Sequence, residues 1–435
     1  MKPTPEQGLK RTIGVGMLTA SAVNLTIGAG IFALPAVIAS RIGSASFLAY
    51  IPCTLLIMMV MLCFIEIGTR VTSSGGIYSY LEAAFGPFTA FLGSTLYWLG
   101  YSLMTDAAVA NVFADSLAVF FPGLRQPMVR TSLMLVIFGG IAWVNVLGVR
   151  QGASLAAAVT IAKIIPLLVL IVGGMWFVNP QYLKIVQWPS ISSLGEVSMI
   201  LFFAFGGMEC SLGISGEIKN PTYTIPRGIL MGSTVVFVFY ICIHLVTQGL
   251  LGPDLKNHLE TPLAAAAYRF MGNTGSTLLL VGAAISTFGV IIGDILNAPR
   301  LAFAAAKDGL LPGVLARIHP KYATPYVSII FYAFLGFILS ISGSFRQLAI
   351  MASAALLLTY LSVILAALKL RRTPAPSNAF KIPGGIVVHC LAIAVTLWFL
   401  SQLSREEYVI AGIFLIVAAG VFGVMNLIAR NTRRS

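Results

Sequence analysis

Thr26-Ile27-Gly28-Ala29-Gly30-Ile31-Phe32 lies in the middle of an apolar segment running from about Ile13 to Ser40. A helix of that length crosses a bilayer, which takes about 20 apolar residues. Its centre nevertheless holds Gly28 and Gly30, and Pro35 follows. Glycine has no Cβ and tolerates backbone angles that other residues resist. A helix that unwinds there frees N–H and C=O groups at membrane depth, where lipid cannot satisfy them. They must then face protein, water or a ligand. Alternatively, the glycines only let a neighbouring helix approach closely, as small residues do in membranes. A second stretch of the same character, Phe203-Ala204-Phe205-Gly206-Gly207-Met208-Glu209, lies in the sixth apolar segment. Two glycine-interrupted segments at matching positions in two halves are the sequence pattern of a transporter's substrate site.

Composition agrees with a membrane setting. Of the 435 residues, 58% are hydrophobic and 9% charged, where a soluble domain carries about 25% charged residues. The net charge of +13 would suit a nucleic-acid partner, but its distribution gives another cause. With a cytoplasmic N-terminus, the inner loops, tails and inner ends of segments hold eighteen Lys and Arg, the outer loops eight, and Lys163 falls deep inside a segment. That asymmetry is the positive-inside rule, and no nucleic acid is needed to explain it. Cys53, Cys63, Cys210, Cys242 and Cys390 all fall in apolar segments without pairing or metal spacing. They read as small core hydrophobes. The first apolar run is too long for a cleaved signal peptide.

After segment 1, apolar segments follow at about 44–68, 87–120, 131–147, 153–178, 194–215, 228–251, 276–306, 327–341, 347–370, 385–403 and 408–429. Ser73 to Tyr80 and Pro262 to Phe270 are too short to span and read as a loop or surface helices. Gly216 to Pro221, continuing to Ile225-Pro226-Arg227, reads as a cytoplasmic loop. The expected fold is therefore an all-α integral membrane protein with about twelve transmembrane helices and both termini inside. It forms one transporter domain over residues 1–435. Segments 1–5 and 6–10, at approximately 12–178 and 194–371, form a five-plus-five repeat with helices 1 and 6 unwound. Two accessory helices follow at approximately 385–429. An odd number of spans per half makes the repeats inverted, the architecture of alternating access around a midplane site.

No catalytic constellation is present. His244, His258, His319 and His389 are scattered without metal-ligand spacing, and there is no nucleophile elbow or phosphate loop. No metal or cofactor is expected, and the chain does not read as an enzyme. The informative residues are ionisable groups within segments, because a charge at the bilayer centre costs at least about 2.5 kcal/mol. Lys163 is about twelve residues into segment 5, or roughly 18 Å deep. It is either bonded to the carbonyls of a broken helix or serves as a cation in place of a coupling sodium, and the two readings are compatible. Asp106 in segment 3 and Asp294 in segment 8 are either structural acids, paired with Lys163 or Arg300, or carriers of a proton or holders of a cationic ligand. A Lys163–Asp294 pair is the specific expectation. Glu209 follows the second break and either accepts bonds from loosened backbone or gates the path. Phe203 and Phe205 are packing residues unless one serves as a lid. Glu66 with Arg70, and Glu217 with Lys219, read as ion pairs on the cytoplasmic side.

A broken helix presents N–H groups at the start of its second half, which suit a carboxylate, and C=O groups at the end of its first, which suit an ammonium. An α-amino acid offers both groups a short distance apart. The same architecture would also accept a choline-like or nucleobase ligand.

Gly28-Ala29-Gly30-Ile31-Phe32 resembles the first-helix signature of the amino acid–polyamine–organocation permeases. Ser74-Gly75-Gly76-Ile77-Tyr78 after Glu66 resembles that family's second-helix and loop motif. Phe203 to Gly206 through Glu209, then Glu217-Ile218-Lys219-Asn220-Pro221 and Ile225-Pro226-Arg227, resembles its sixth-helix signature. Arg300, Ala306-Lys307-Asp308-Gly309-Leu310-Leu311-Pro312 and Thr324-Pro325 resemble the end of its eighth helix. The ordered set covers most of Gly14 to Pro325 and is far more specific than any one motif.

The resemblance implies the leucine-transporter-like five-plus-five fold. It implies that Ile27, Gly28, Ala29 and Gly30, with Phe203, Ala204, Phe205 and Gly206, hold the amino and carboxylate groups of the substrate. Phe203 falls where related antiporters carry an aromatic gate, and Glu209 matches a family glutamate just past the break. Lys163 before Ile164-Ile165-Pro166 resembles a fifth-helix lysine that substitutes for sodium, favouring proton coupling or exchange. Tyr97-Trp98 resembles a third-helix motif of the arginine–agmatine antiporter branch, placing Gly100, Tyr101 and Thr105 near the substrate side chain. Phe203 is not that branch's tryptophan, so its substrate does not carry over. Asp106 and Asp294 match no family motif, although Asp106 beside Thr105 favours a basic substrate.

The leading expectation is a sodium-independent amino-acid permease, working by proton-coupled symport or amino-acid exchange in a bacterial inner membrane. Its partners would be an amino acid, the lipid bilayer and protons. The alternatives are a polyamine or amine antiporter, an amino-acid exporter, or, from another class, an amino-acid-sensing receptor or a channel.

Overall fold

The computed structural model describes residues 13–71, 76–147, 152–212, 218–307, 309–322, 324–374 and 379–432. Ser73, Ser74, Gly75, Glu217 and Asp308 lie outside the described residues, as does the expected Glu217–Lys219 pair. Among the described residues the fold is all-helical, apart from a single parallel bridge between Ile13 and Ile218. The first segment is two helices, α1 (Val15–Thr26) and α2 (Gly30–Ile42). Then come α3 (Tyr50–Arg70), α4 (Ile77–Phe85), α5 (Pro87–Thr95), α6 (Leu103–Ala118), α7 (Pro127–Leu147) and α8 (Gly152–Gly174). The second half holds α9 (Ile191–Phe202), α10 (Pro221–Leu251), α11 (Pro262–Lys307), α12 (Tyr326–Ser342), α13 (Phe345–Leu370), α14 (Ile386–Leu400) and α15 (Arg405–Thr432).

Among the described residues, seven helical stretches are long and apolar enough to cross a membrane: Gly30–Arg70, Pro127–Leu147, Ile191–Leu212, Pro221–Asn257, Pro262–Ile292, Phe345–Leu370 and Arg405–Met425. Shorter apolar helices include Val15–Thr26 and Ile386–Leu400. The last stretch has a mean hydropathy of 2.5, yet only 6% of it is buried within the protein. Water would not tolerate so large an apolar surface, whereas lipid favours it. The chain is an integral membrane protein. The cysteines divide in the same way. Cys53 and Cys63 are buried in the core as expected, but Cys390 faces outward from α14.

Local chemistry explains where the elements depart from the apolar pattern. Ile225-Pro226-Arg227 is not loop but the early part of α10. Pro221 occupies the first turn, where its missing N–H costs nothing, and Pro226 removes only one bond from a long helix. The left-handed Asn220, φ 41°, turns the chain into this helix. Gly272, φ 60° and ψ −146°, bends α11 and separates the short 262–271 arm from the long arm that follows. The long arm of α11 packs on α6 and α8, α1 packs along α10, and α13 packs on the turn between α5 and α6. These contacts place both glycine-rich stretches in the middle of the bundle.

Candidate functional site

The first segment is broken where its glycines stand. Ile27 closes α1 with φ −73° and ψ 91°, and helical geometry resumes at Gly30. In the sixth segment α9 gives way at Phe203 to a tight turn, Phe203–Phe205, and Gly206 is extended. Gly207 adopts φ 110°, and a second tight turn spans Met208–Leu212. A Cβ on Gly207 would lie 2.5 Å from the Leu25 carbonyl oxygen, so angle and space both demand glycine there. A Cβ on Gly30 would lie 2.7 Å from that of Ala204, so the two breaks touch directly. At Gly28 the nearest such neighbour is Val290, at an ordinary 3.5 Å.

Side chains from other helices hold this pair of breaks. The Lys163 ammonium donates to the carbonyls of Asn24 at 2.6 Å and Ile27 at 2.7 Å. This caps the frayed end of α1 with a cation, where carbonyls point out and the helix dipole is negative. Lys163 is thus not paired with Asp294, and the expected Lys163–Asp294 bridge does not form among the described residues. Backbone oxygens of a broken helix, already gathered at one end, hold the ammonium instead. The Tyr240 hydroxyl of α10 lies 2.9 Å from the Thr26 carbonyl and 2.8 Å from that of Ala204. Its one proton serves either break, tying them to the same helix.

The Glu209 carboxylate is fully engaged. Both of its oxygens accept the Gly207 N–H, at 3.2 and 3.1 Å, while Tyr97 donates to one at 3.1 Å and Tyr360 to the other at 2.7 Å. Accepting bonds from loosened backbone, the first of its two sequence readings, is what this geometry provides. Phe203 is buried and meets Phe345 edge to face, with centroids 5.7 Å apart. Phe205 packs edge to face on Tyr50 and Tyr240.

The pattern of the amino acid permease family matches residues 13–426. The chain belongs to the amino acid permease family. It is 27% identical over 425 residues to the serine/threonine exchanger SteT of Bacillus subtilis, covering 95% of this chain and 96% of that protein. It is 24% identical over 434 residues to the branched-chain amino acid permease BcaP of Bacillus subtilis, covering 96% and 93%. It is also 27% identical over 426 residues to the b(0,+)-type amino acid transporter 1 of Mus musculus, covering 94% and 86%.

In this permease the third segment is not a plain helix. Leu96–Ser102 forms a wide π-type turn between α5 and α6, an irregularity that concentrates at functional sites. It turns Tyr101 onto Gly206, whose added Cβ would run into the Tyr101 hydroxyl. Gly100 instead faces Ala355 of α13, so it serves packing between α13 and the turn. Thr105 is buried one turn beyond Tyr101. Asp106 is fully buried, and its Oδ2 accepts from Tyr332 of α12 at 2.9 Å. Asp294 lies beside it.

Of the four tyrosine hydroxyls that organise the site, sequence reading named only Tyr97, as part of a motif, and missed Tyr240, Tyr332 and Tyr360. No periodicity marks them, because a tyrosine in an apolar helix looks like any other large core residue. The usable signal is that a buried hydroxyl needs a partner, and the unwound backbone and embedded acids are the groups that lack one. At the far end of α3, Glu66 pairs with Arg70 as expected, at 3.6 Å. It also meets Arg371 at 2.9 Å and His389 at 3.4 Å.

Proposed function

We propose that this permease is a secondary active transporter that moves amino acids by alternating access, with the zwitterion held between the two breaks. The observation that carries this reading is the contact of Gly30 with Ala204, which sets two unwound stretches side by side in the bundle centre. The substrate carboxylate sits at the N-terminus of α2, on the N–H groups around Gly28 to Gly30, where the helix dipole is positive. The ammonium sits on carbonyls of Phe203 to Phe205. Those of Asn24 and Ile27 are occupied by Lys163. Phe203 and Glu209 move with the break as the substrate is occluded, and Tyr101 and Thr105 face its side chain. A relative named an exchanger and another named a permease for amino acids support the substrate class.

Transport is sodium-independent in this reading, because a fixed ammonium already fills the carbonyl cage at the first break. Proton-coupled symport or amino-acid exchange then drives the cycle. The chain forms one transporter domain of about twelve spans, with inverted repeats and both termini in the cytoplasm of a bacterial cell. The test is counterflow in proteoliposomes preloaded with an amino-acid panel, with and without sodium and a pH gradient. Saturable uptake of an amino-acid class, indifferent to sodium, is expected. Sodium dependence would overturn the role given to Lys163, and absence of counterflow with every amino acid would overturn the transport reading.

A further inference from the structure

Asp106 of α6 and Asp294 of α11 lie side by side. Asp106 is completely buried and Asp294 half-buried. The polar groups around Asp106 are well defined. Ser102 lies 2.9 Å from the Tyr332 hydroxyl, which donates to Oδ2 of Asp106 at 2.9 Å. Among the described residues, Oδ1 of Asp106 has no hydrogen-bond partner. No ion pair joins either carboxylate to a lysine or arginine among the described residues. Two carboxylates facing each other away from water are costly unless a cation or a shared proton joins them. Tyr332 donates to Asp106, Ser102 lies beside Asp294 as well as Tyr332, and both hydroxyls are neutral. The buried cation Lys163 is committed to the backbone of α1.

Their location indicates where the missing charge comes from. Val290 is the α11 residue that stands against Gly28. Asp294 is one turn further along the same face, about 6 Å away. One turn in the other direction is Ser286, fully buried, whose hydroxyl is also without a partner. The stripe Ser286–Val290–Asp294 thus brings polar side chains to the face of α11 that meets the first break. From the other side, Tyr101 stands on Gly206 while Asp106 approaches Asp294 from the following turns of α6.

We propose that Asp106 and Asp294 form the side-chain subsite and take a cationic group, the ammonium or guanidinium of a basic amino acid. This rests on the reading that the two breaks hold the α-amino and carboxylate groups. A flexible side chain of a few methylenes then carries its charge past Val290 to the carboxylate pair. There it donates to Oδ1 of Asp106 and to Asp294, where no ion pair to a lysine or arginine is formed among the described residues. An aliphatic or hydroxyl side chain would leave both acids unmatched.

The experiment measures counterflow and binding by the full-length chain with lysine, arginine and ornithine against leucine and serine, at one fixed pH. Wild type, Asp294→Asn and Asp106→Asn are compared. Asp294 is only half-buried, so its amide variant keeps the test open if Asp106→Asn does not fold. Wild type is expected to favour the basic set. In Asp294→Asn the ratio of basic to neutral affinity is expected to fall by about tenfold or more, the loss of a charge-assisted contact. Neutral substrates favoured by wild type would overturn the subsite while leaving the transport reading intact. So would an unchanged ratio in Asp294→Asn, including one accompanied by an altered pH profile, which would assign the pair to protons. No counterflow with any amino acid would overturn both.

Discussion

Gly207 and Gly28 look equivalent in the sequence and differ sharply in place. Gly207 needs φ 110° and has the Leu25 carbonyl where a Cβ would stand. Gly28 has an ordinary neighbour at 3.5 Å. Gly207→Ala is therefore expected to lower stability by about 1–3 kcal/mol, and Gly28→Ala by much less. Thermal unfolding in detergent checks the order, and equal losses would mean that the second break does not depend on its glycine. Gly28→Ala is instead expected to weaken amino-acid binding, because the methyl group enters space assigned to the ligand. Lys163→Ala removes two charge-assisted bonds, each worth about 1.5–3 kcal/mol. Loss of stability, together with a changed pH dependence of flux, is the expected outcome. Stability lost with the pH profile unchanged would leave Lys163 as a helix cap alone.

At the scale of elements, the two breaks behave as one object because α10 holds both. The Tyr240 hydroxyl reaches the Thr26 and Ala204 carbonyls, and Gly30 lets the two backbones meet. Tyr240→Phe is expected to loosen both at once, since each loses the same donor. Hydrogen–deuterium exchange should speed up in peptides over residues 24–32 and 200–209 together, and faster exchange in only one of them would show that the breaks are held separately. Existence and place of both breaks were legible beforehand, because glycine pairs and a nearby proline within apolar runs have few other readings. The π-type turn at Leu96–Ser102 was not legible. Its residues are ordinary helix formers, and their register is widened by packing against α13 and by Tyr101 seating on Gly206.

For the whole molecule, the Glu66 cluster joins parts far apart in the chain. Glu66 lies one turn before the end of α3, Arg371 follows α13, and His389 belongs to α14. The sequence paired Glu66 only with Arg70, since neighbours one turn apart are all that helical spacing can indicate. Removing the carboxylate leaves guanidinium groups facing a fully buried site. Glu66→Gln is expected to cost about 3 kcal/mol or more, read as a lower midpoint in thermal unfolding. A midpoint within a degree of wild type would mean that the cluster is well solvated. The outward apolar surface of α15 belongs to the same scale, being compatible with lipid and not with water.

The sequence by itself determined the solvent of this protein, its helical class, its family and the two places where helices fail. Hydropathy, glycine position and ordered motifs are properties of neighbours in the chain, and each states its meaning locally. Tertiary structure alone decided the partners: Lys163 on the carbonyls of α1 rather than on Asp294, Asp106 beside Asp294, and four tyrosine hydroxyls on loosened backbone and buried acids. A buried charge or hydroxyl is bound by whatever group the fold brings within about 3 Å. That distance is set by helices packed from opposite ends of the chain, which no periodicity within a single segment encodes.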